Sequence, residues 1–475
     1  MASSGRDAGA RPFDDGAFDA AALIDRIRLG AFQIRVLILC FLAAVVEGFD
    51  QQLPAVAGPP MLRALGEPID RIGPLYSAGL LGFVLGGLLL GPLGDRIGRK
   101  WLLVGSLLAF GAGTLVIPWL GSFDSILLAR LLSGFAFGGA SISFVAMPAE
   151  YAPLHLRGRV VALIWAGIPV GGTIGSLSGN AFIEAYGWQS LFWIGGGFPF
   201  LLGLILALWL PESVGYLIVR GRDPARIARI LKKIAPAAPV GADTRFFGHA
   251  VSARRVPIGM LFAGGRGRGT YLIWTALFLA YLIINLMVAW TPALLLQSGT
   301  TMGVAALGLA AFNACGLIGI FVYSLLVDRS AAAGLVALGF LIGALTVVLY
   351  AILPVSTAVS FAAIALIGIS IGGAGTALIA VAASFYPTAI RSTGVGWSLA
   401  FARIGSICGP LLGSLFFLLD MNLRMILLTI AVPALLTAGA MLLFGRAARR
   451  LAANGAPADP STATRSPSPG KPGEE

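Results

Sequence analysis

Glu47-Gly48-Phe49-Asp50 sets two carboxylates in a run from Val36 to Pro60 that is otherwise apolar except for Gln51-Gln52. An ionisable side chain at membrane depth costs about 2.5–3.5 kcal/mol on insertion scales. It persists where it faces a partner, a cavity or a transported ion. Positions i and i+3 share one face of a helix, so the pair points to a pathway through a membrane that carries protons.

Arg130 supplies a counter-charge. Asp50 lies about seven residues from the far end of its apolar run, and Arg130 about six from the start of its own, so both sit roughly 10 Å below one surface. A carboxylate beside a guanidinium stays ionised, and one left alone in a low dielectric takes up a proton. The pair therefore reads as a proton switch or as a static bridge that fixes helix packing. Glu47, one turn deeper, reads as a second relay or a substrate contact. Arg403 falls near the middle of a later run, and the C-terminal runs carry no acidic residue. A buried guanidinium needs an anion or helix carbonyls, and its fork suits a carboxylate. Arg403 is thus expected to clamp a substrate carboxylate, with backbone carbonyls or Glu47 as the other possible partners. Trp165, Tyr281, Trp290, Tyr323 and Trp397 are candidate walls for an apolar ring, and Asn285 and Asn313 could read a ring hydroxyl. Each is equally open to a packing or interfacial role.

The elements that must hold these residues are transmembrane helices. The chain has 475 residues, 57% hydrophobic and 11% charged, with a mean hydropathy of +0.90; soluble domains are roughly 25% charged. Apolar windows of about 20 residues, enough to span a bilayer, recur twelve times: about 33–57, 73–93, 101–119, 124–146, 159–182, 189–210, 270–296, 304–326, 333–353, 357–380, 394–418 and 422–444. The net charge of +12 is topological. With both termini cytoplasmic, Arg96, Arg99, Lys100, Arg157, Arg159, Arg391 and eleven basic residues of the 211–268 loop fall inside. Only Arg63, Arg71 and Arg424 fall outside, which is the positive-inside pattern and excludes nucleic acid as the partner. The N-terminal segment shows no cleavable leader before Ala31. Cys40, Cys315 and Cys408 lie in predicted spans with no CxxC pair, so no disulfide or metal framework is expected.

The two halves repeat. Gly138-Gly139, Pro153 and Arg157 recur as Gly372-Gly373, Pro387 and Arg391 at an offset of 234, and Gly94-Asp95-Arg96 as Val327-Asp328-Arg329 at 233. Fixed-offset similarity marks a duplication, and in membrane proteins it implies two bundles rocking about a central site. The expected organisation is a cytoplasmic segment 1–32, a six-helix bundle 33–210, a central loop 211–268, a second six-helix bundle 269–444 and a disordered tail 445–475. Within the loop, Pro224 to Lys233 is basic with apolar residues at helical spacing, and predicts a short helix on the cytoplasmic face.

Gly91-Pro92-Leu93-Gly94-Asp95-Arg96-Ile97-Gly98-Arg99-Lys100, between spans two and three, resembles the signature loop of the major facilitator superfamily. Glycine permits the tight turn, Asp95 is expected to cap the next helix, and the basic residues to anchor at the leaflet. The resemblance implies that Asp95 belongs to a cytoplasmic gate with Gly91, Gly94, Arg96, Gly98, Arg99, Glu150, Arg157, Asp328, Arg329 and Arg391.

Within that superfamily, Glu47-Gly48-Phe49-Asp50, Arg130-Leu131-Leu132-Ser133-Gly134, Ala149-Glu150-Tyr151-Ala152-Pro153, Leu210-Pro211-Glu212-Ser213 and Arg391 to Trp397 are similar to segments of the aromatic acid:proton symporters. That resemblance implies an all-α membrane protein of twelve helices in two pseudo-symmetric bundles. It further implies a proton-coupled importer of a small aromatic carboxylate of the benzoate or hydroxybenzoate type, working by alternating access, with no cofactor and a monomeric transport unit in a bacterial inner membrane. The chain departs from the pattern at Glu47, which replaces an aspartate, across Ile142–Pro148, and at Ser330–Ala332, where the second signature loop lacks its glycine and arginine.

Rival readings are a carrier of another organic anion, a drug:proton antiporter suggested by Gly167-Ile168-Pro169-Val170-Gly171-Gly172, a sugar porter, and a sensor. An enzyme is not expected: His155 and His249 fall in predicted loops, and no metal or nucleophile cluster has motif spacing.

Overall fold

Twelve helices in the computed structural model are long and apolar enough to cross a membrane. The structure describes residues 13–14, 17–221, 223–241, 243–247, 257–297, 299–326, 332–354 and 356–453. The spans are α1 (Ala31–Leu65), α2 (Ile72–Ile97), α3 (Arg99–Val116), α4 (Phe123–Tyr151), α5 (Leu154–Tyr186) and α6 (Gln189–Trp209). After the central loop come α7 (Gly267–Gln297), α8 (Met302–Leu326), α9 (Ala332–Ile352), α10 (Thr357–Phe385), α11 (Arg391–Leu418) and α12 (Leu423–Ala453). Leu88, Leu208 and Leu325 are among many large apolar side chains left exposed, as lipid-facing positions must be. The fold class is the twelve-helix membrane architecture the apolar windows predict.

Several helices overrun their predicted windows. α1 continues to Leu65, α5 begins at Leu154 and α12 runs to Ala453. Residues 445–453, expected as tail, are therefore helical; Arg, Ala and Leu are good helix formers that extend a span into water. The rest of that tail, together with His249, Asp328 and Arg329, lies outside the described residues. His155 sits in the first turn of α5, not in a loop. α10 carries a π-turn at Gly368–Gly372.

The duplication is visible in the packing. In the first half α2 packs on α4, α1 on α5, and α3 on α6. A Cβ on Gly86 would collide with the Phe135 carbonyl oxygen, and one on Gly319 with that of Ile369; likewise Gly171 meets Val45 O, and Gly405 meets Phe278 O. These are the same contacts at offsets of 233 and 234. Arg157 Nε donates to Ala152 O at 3.2 Å, and Arg391 Nε to Tyr386 O at 3.3 Å, again one bond repeated.

The chain divides into two compact units that do not follow the halves. One comprises Met1–Ser252, Leu286–Leu317 and Pro410–Met421; the other comprises Ala253–Asn285, Ile318–Gly409 and Asn422–Glu475. In the first unit, the ends of α7, α8 and α11 away from the chain termini pack with the first six spans. Gly73 on α2 lies against the Pro410 carbonyl, Ser414 Oγ donates to Asp70 O, and Gly179 on α5 faces Ala306.

At the terminus end, three short strands, β1 (Phe13–Asp14), β2 (Ala17–Asp19) and β3 (Phe246–Phe247), join the N-terminal segment to the central loop. Asp19 caps the helix Ala20–Arg26 through bonds of 2.9 and 3.1 Å from Ala21 N and Ala22 N. The loop helix Pro224–Ile234 forms as expected, but Ile227, Ile230 and Leu231 are buried in the cluster that holds Phe18 and Ile24. Protein, not lipid, covers its apolar face.

Candidate functional site

Asp50 and Arg130 meet in a two-pronged ion pair: Nη1 donates to Oδ1 at 2.5 Å and Nη2 to Oδ2 at 3.1 Å. Arg130 is 3% exposed and Asp50 16%, so the guanidinium is buried and the carboxylate partly buried, toward the more open side. The guanidinium lies over α2 where a side chain is missing; a Cβ on Gly79 would stand 3.0 Å from Nη2. Pro54 follows Asp50 by four residues inside α1. Lacking an N–H, it leaves the Asp50 carbonyl without its usual helical donor, which loosens α1 beside the acid.

Tyr76 on α2 is buried within electrostatic reach of both charges. Its hydroxyl and Arg130 Nε have no hydrogen-bond partner among the described residues. Glu47 is buried one turn away, and Gly48 between them lets the α1 backbone reach Ile168 O of α5. Sequence reasoning missed Tyr76 and Gly79, because neither carries a motif and only their place across from Arg130 singles them out.

A second polar cluster joins α1, α5 and α8. Around the position a Cβ would take on Gly172 lie Asn313 Oδ1 at 2.7 Å and Gln52 Nε2 at 3.0 Å. Asn313 Nδ2 donates to Leu309 O at 2.9 Å. Gln52 is buried, and its Oε1 has no hydrogen-bond partner among the described residues.

The aromatic candidates separate. Trp290 is a packing residue, stacked on Phe417 with centroids 4.5 Å apart and bonded through Nε1 to Pro410 O at 2.9 Å. Tyr323 is buried between α9 and α10, its ring filling the space beside Gly339 and Gly373. A side chain used that way is a poor wall for a ligand. Trp397 is exposed and stacks with Trp274, which in turn stacks on Phe401 at 4.5 Å. Trp165 is also exposed on α5. Asn285 bonds Tyr281 O at 2.9 Å and Ser406 Oγ at 3.0 Å, tying α7 to α11, so its two donors are already used. Arg403 is half-buried on α11 in the second unit.

At the terminus end the signature residues form a network around Glu150 and Glu212. Asp95 does not cap α3. α2 continues through Ile97, which leaves Asp95 in its last turn, 77% exposed and 4.0 Å from Arg99. The cap is Glu212, which accepts from Lys100 N at 3.0 Å and Ser213 N at 2.9 Å. A carboxylate at a helix N-terminus gains from the exposed N–H groups and the dipole. Gly98, at φ +105°, is where the chain turns, and Glu212 occupies the space of any side chain there.

Arg99 and Lys100 serve this network rather than the leaflet: Arg99 pairs with Glu150, and Lys100 is buried with its ammonium 5.1 Å from the Trp101 ring. Glu150 also accepts from Ser213 Oγ at 2.5 Å. Arg220 binds Asp95 O at 2.9 Å, and Tyr216 binds Arg96 O at 3.0 Å. Asp25 accepts from Leu154 N at 2.8 Å and from Arg157 at 3.2 Å. Gly91 lies against Ile142, and Gly94 against Leu102.

The family model of the Major Facilitator Superfamily matches residues 40–410. The 4-hydroxybenzoate transporter PcaK of Pseudomonas putida is 35% identical over 88% of this chain and 94% of its own length. The chain belongs to the aromatic acid permease family of that superfamily. The gallate transporter of Pseudomonas putida is 31% identical over 93% of the permease and 98% of that protein. Among solved structures, a bacterial homolog of the human lysosomal transporter Spinster matches the permease fold with a TM-score of 0.71 at 15% identity, covering 89% of the permease and 99% of that chain.

Proposed function

We propose that the permease imports a small aromatic carboxylate, of the benzoate or hydroxybenzoate type, together with protons by alternating access. The observation that carries the proton coupling is the partly buried, two-pronged Asp50–Arg130 pair. The substrate class is supported by the relatives named for 4-hydroxybenzoate and gallate. In this reading the pair holds Asp50 charged while the helices stay together, and separating them inside the membrane favours the neutral acid. Tyr76 and Glu47 are the groups next to that exchange, and Arg403 takes the substrate carboxylate. The network of Arg99, Glu150, Glu212 and Asp95 gates the terminus end together with Arg157 and its repeat counterpart Arg391, and the excess of basic residues in those loops favours a cytoplasmic position at an inner membrane. The contacts of Gly73, Ser414 and Gly179 then close the outer end.

Symport follows from charge. Bringing one anion into a cell against about 100 mV costs about 2.3 kcal/mol, and one accompanying proton removes that cost and adds the pH gradient. The antiporter reading loses its support on α5, where Gly171 and Gly172 are accounted for by contacts with α1 and with Asn313.

The test is uptake of labelled benzoate and 4-hydroxybenzoate into proteoliposomes under an inward proton gradient. Accumulation by the wild type, lost in Asp50→Asn and in Arg403→Ala, is the expected outcome. Accumulation that survives both substitutions removes these residues from the mechanism, and movement of neither compound removes the substrate class.

A further inference from the structure

The terminus end of the second half carries charge that its own residues do not balance. Residues 257–453 contain two acids, Asp328 and Asp420. Asp420 precedes α12 at the opposite end, and Asp328 lies outside the described residues. At the terminus end, Arg268 from the start of α7 and Arg446 and Arg450 from the last turns of α12 line one pocket of about 310 Å³, bordered by Gly265, Leu443 and Leu451. Gly265, at φ +75°, brings the backbone close; a Cβ there would stand 3.2 Å from Leu451. Among the described residues none of the three arginines has a carboxylate within 4.0 Å. Like charges four apart on a helix repel, and Arg268 adds a third to the same space.

The first half treats the equivalent place in the opposite way. α6 and α12 begin 234 residues apart, and at that offset Arg446 stands where the first half has Glu212. Glu212 is satisfied by backbone N–H groups, whereas Arg446 opens onto the pocket. Beside it, Leu442 and Leu443 are exposed apolar side chains on a span that faces lipid. A guanidinium cluster matches phosphate oxygens, and an apolar edge matches an acyl chain.

We propose that this pocket binds the phosphate of an anionic phospholipid from the leaflet at the terminus end. Arg446, Arg450 and Arg268 hold the head group, and a chain descends along Leu443. A free phosphate shares the anion chemistry but makes no use of the apolar edge.

The test is native mass spectrometry of the full chain, released from micelles that contain equal phosphatidylglycerol and phosphatidylcholine. The wild type is expected to retain phosphatidylglycerol preferentially. Each basic group near an anionic surface changes affinity about fivefold, so Arg268→Gln/Arg446→Gln/Arg450→Gln should lose that preference by more than about tenfold. Arg424→Gln, at the other end of α12, should keep it. If the triple variant does not fold, Arg450→Gln alone is read, with a loss of about fivefold expected. Undiminished preference in the folded variant overturns the site. Displacement of the lipid by millimolar inorganic phosphate overturns the lipid assignment in favour of a soluble anion.

Discussion

Where the first half has Asp50, Tyr76 and Arg130, the positions at the repeat offset hold Ile283, Leu309 and Ile364, all buried. Other close backbone contacts recur in both halves, Gly86 with Gly319 and Gly171 with Gly405, whereas Gly48, Gly79 and Gly82 beside the pair give way to Tyr281, Phe312 and Cys315. A duplicated scaffold can therefore keep its backbone geometry while one copy exchanges hydrocarbon for an ion pair. The exchange is expensive unless both charges arrive together, because either alone is a charge buried without its partner. The terminus end repeats the lesson with the sign reversed, Glu212 in one half and Arg446 in the other.

The largest effect is expected from breaking that pair on one side. Arg130→Ala leaves Asp50 facing a cavity and should lower stability by about 3–5 kcal/mol. Asp50→Asn/Arg130→Gln should recover most of that stability and still transport nothing against a gradient. Thermal unfolding in detergent beside proteoliposome uptake reads both, and equal melting of the single and double variants would show that the charges are not coupled. Next come the shared contacts: Gly86→Ala and Gly319→Ala each force a methyl into a neighbouring carbonyl, at about 1–3 kcal/mol. A loss in only one half would mean the two copies do not share their packing skeleton. Smaller again is the charge reversal. Glu212→Gln weakens a helix cap by about 1 kcal/mol, whereas Arg446→Gln in lipid-free detergent should stay within about 0.5 kcal/mol.

Span number, the repeat and the Asp50–Arg130 pairing were legible because each rests on a one-dimensional quantity: apolar length, offset, or depth at a fixed rise per residue. What could not be read depended on which face a helix turns to its neighbour. Asp95 looked like a cap because the glycines around it permit a tight turn, yet α2 runs on through Ile97, the backbone turns at Gly98, and the cap arrives from Glu212, more than a hundred residues later. Tyr323 and Trp290 have the ring chemistry of a binding wall, but their partners Gly339 and Pro410 make them packing residues. Tyr76 had no signal at all: one tyrosine in an apolar helix means little until Arg130 lies across from it.

The smallest stability loss and the sharpest mechanistic question belong to that tyrosine. Its hydroxyl is buried without a hydrogen-bond partner among the described residues, an arrangement that costs about 1–3 kcal/mol where no water repairs it. Tyr76→Phe removes only the oxygen and carries the first half one step toward the second, where Leu309 stands. A hydroxyl present only for packing would give a variant as stable as the wild type or more so, with uptake unchanged. A hydroxyl that handles protons or substrate beside Asp50 would give the same stability with uptake reduced several-fold, and that split between folding and transport is the expected result. Melting temperature and initial uptake rate, measured on one preparation, separate the two outcomes.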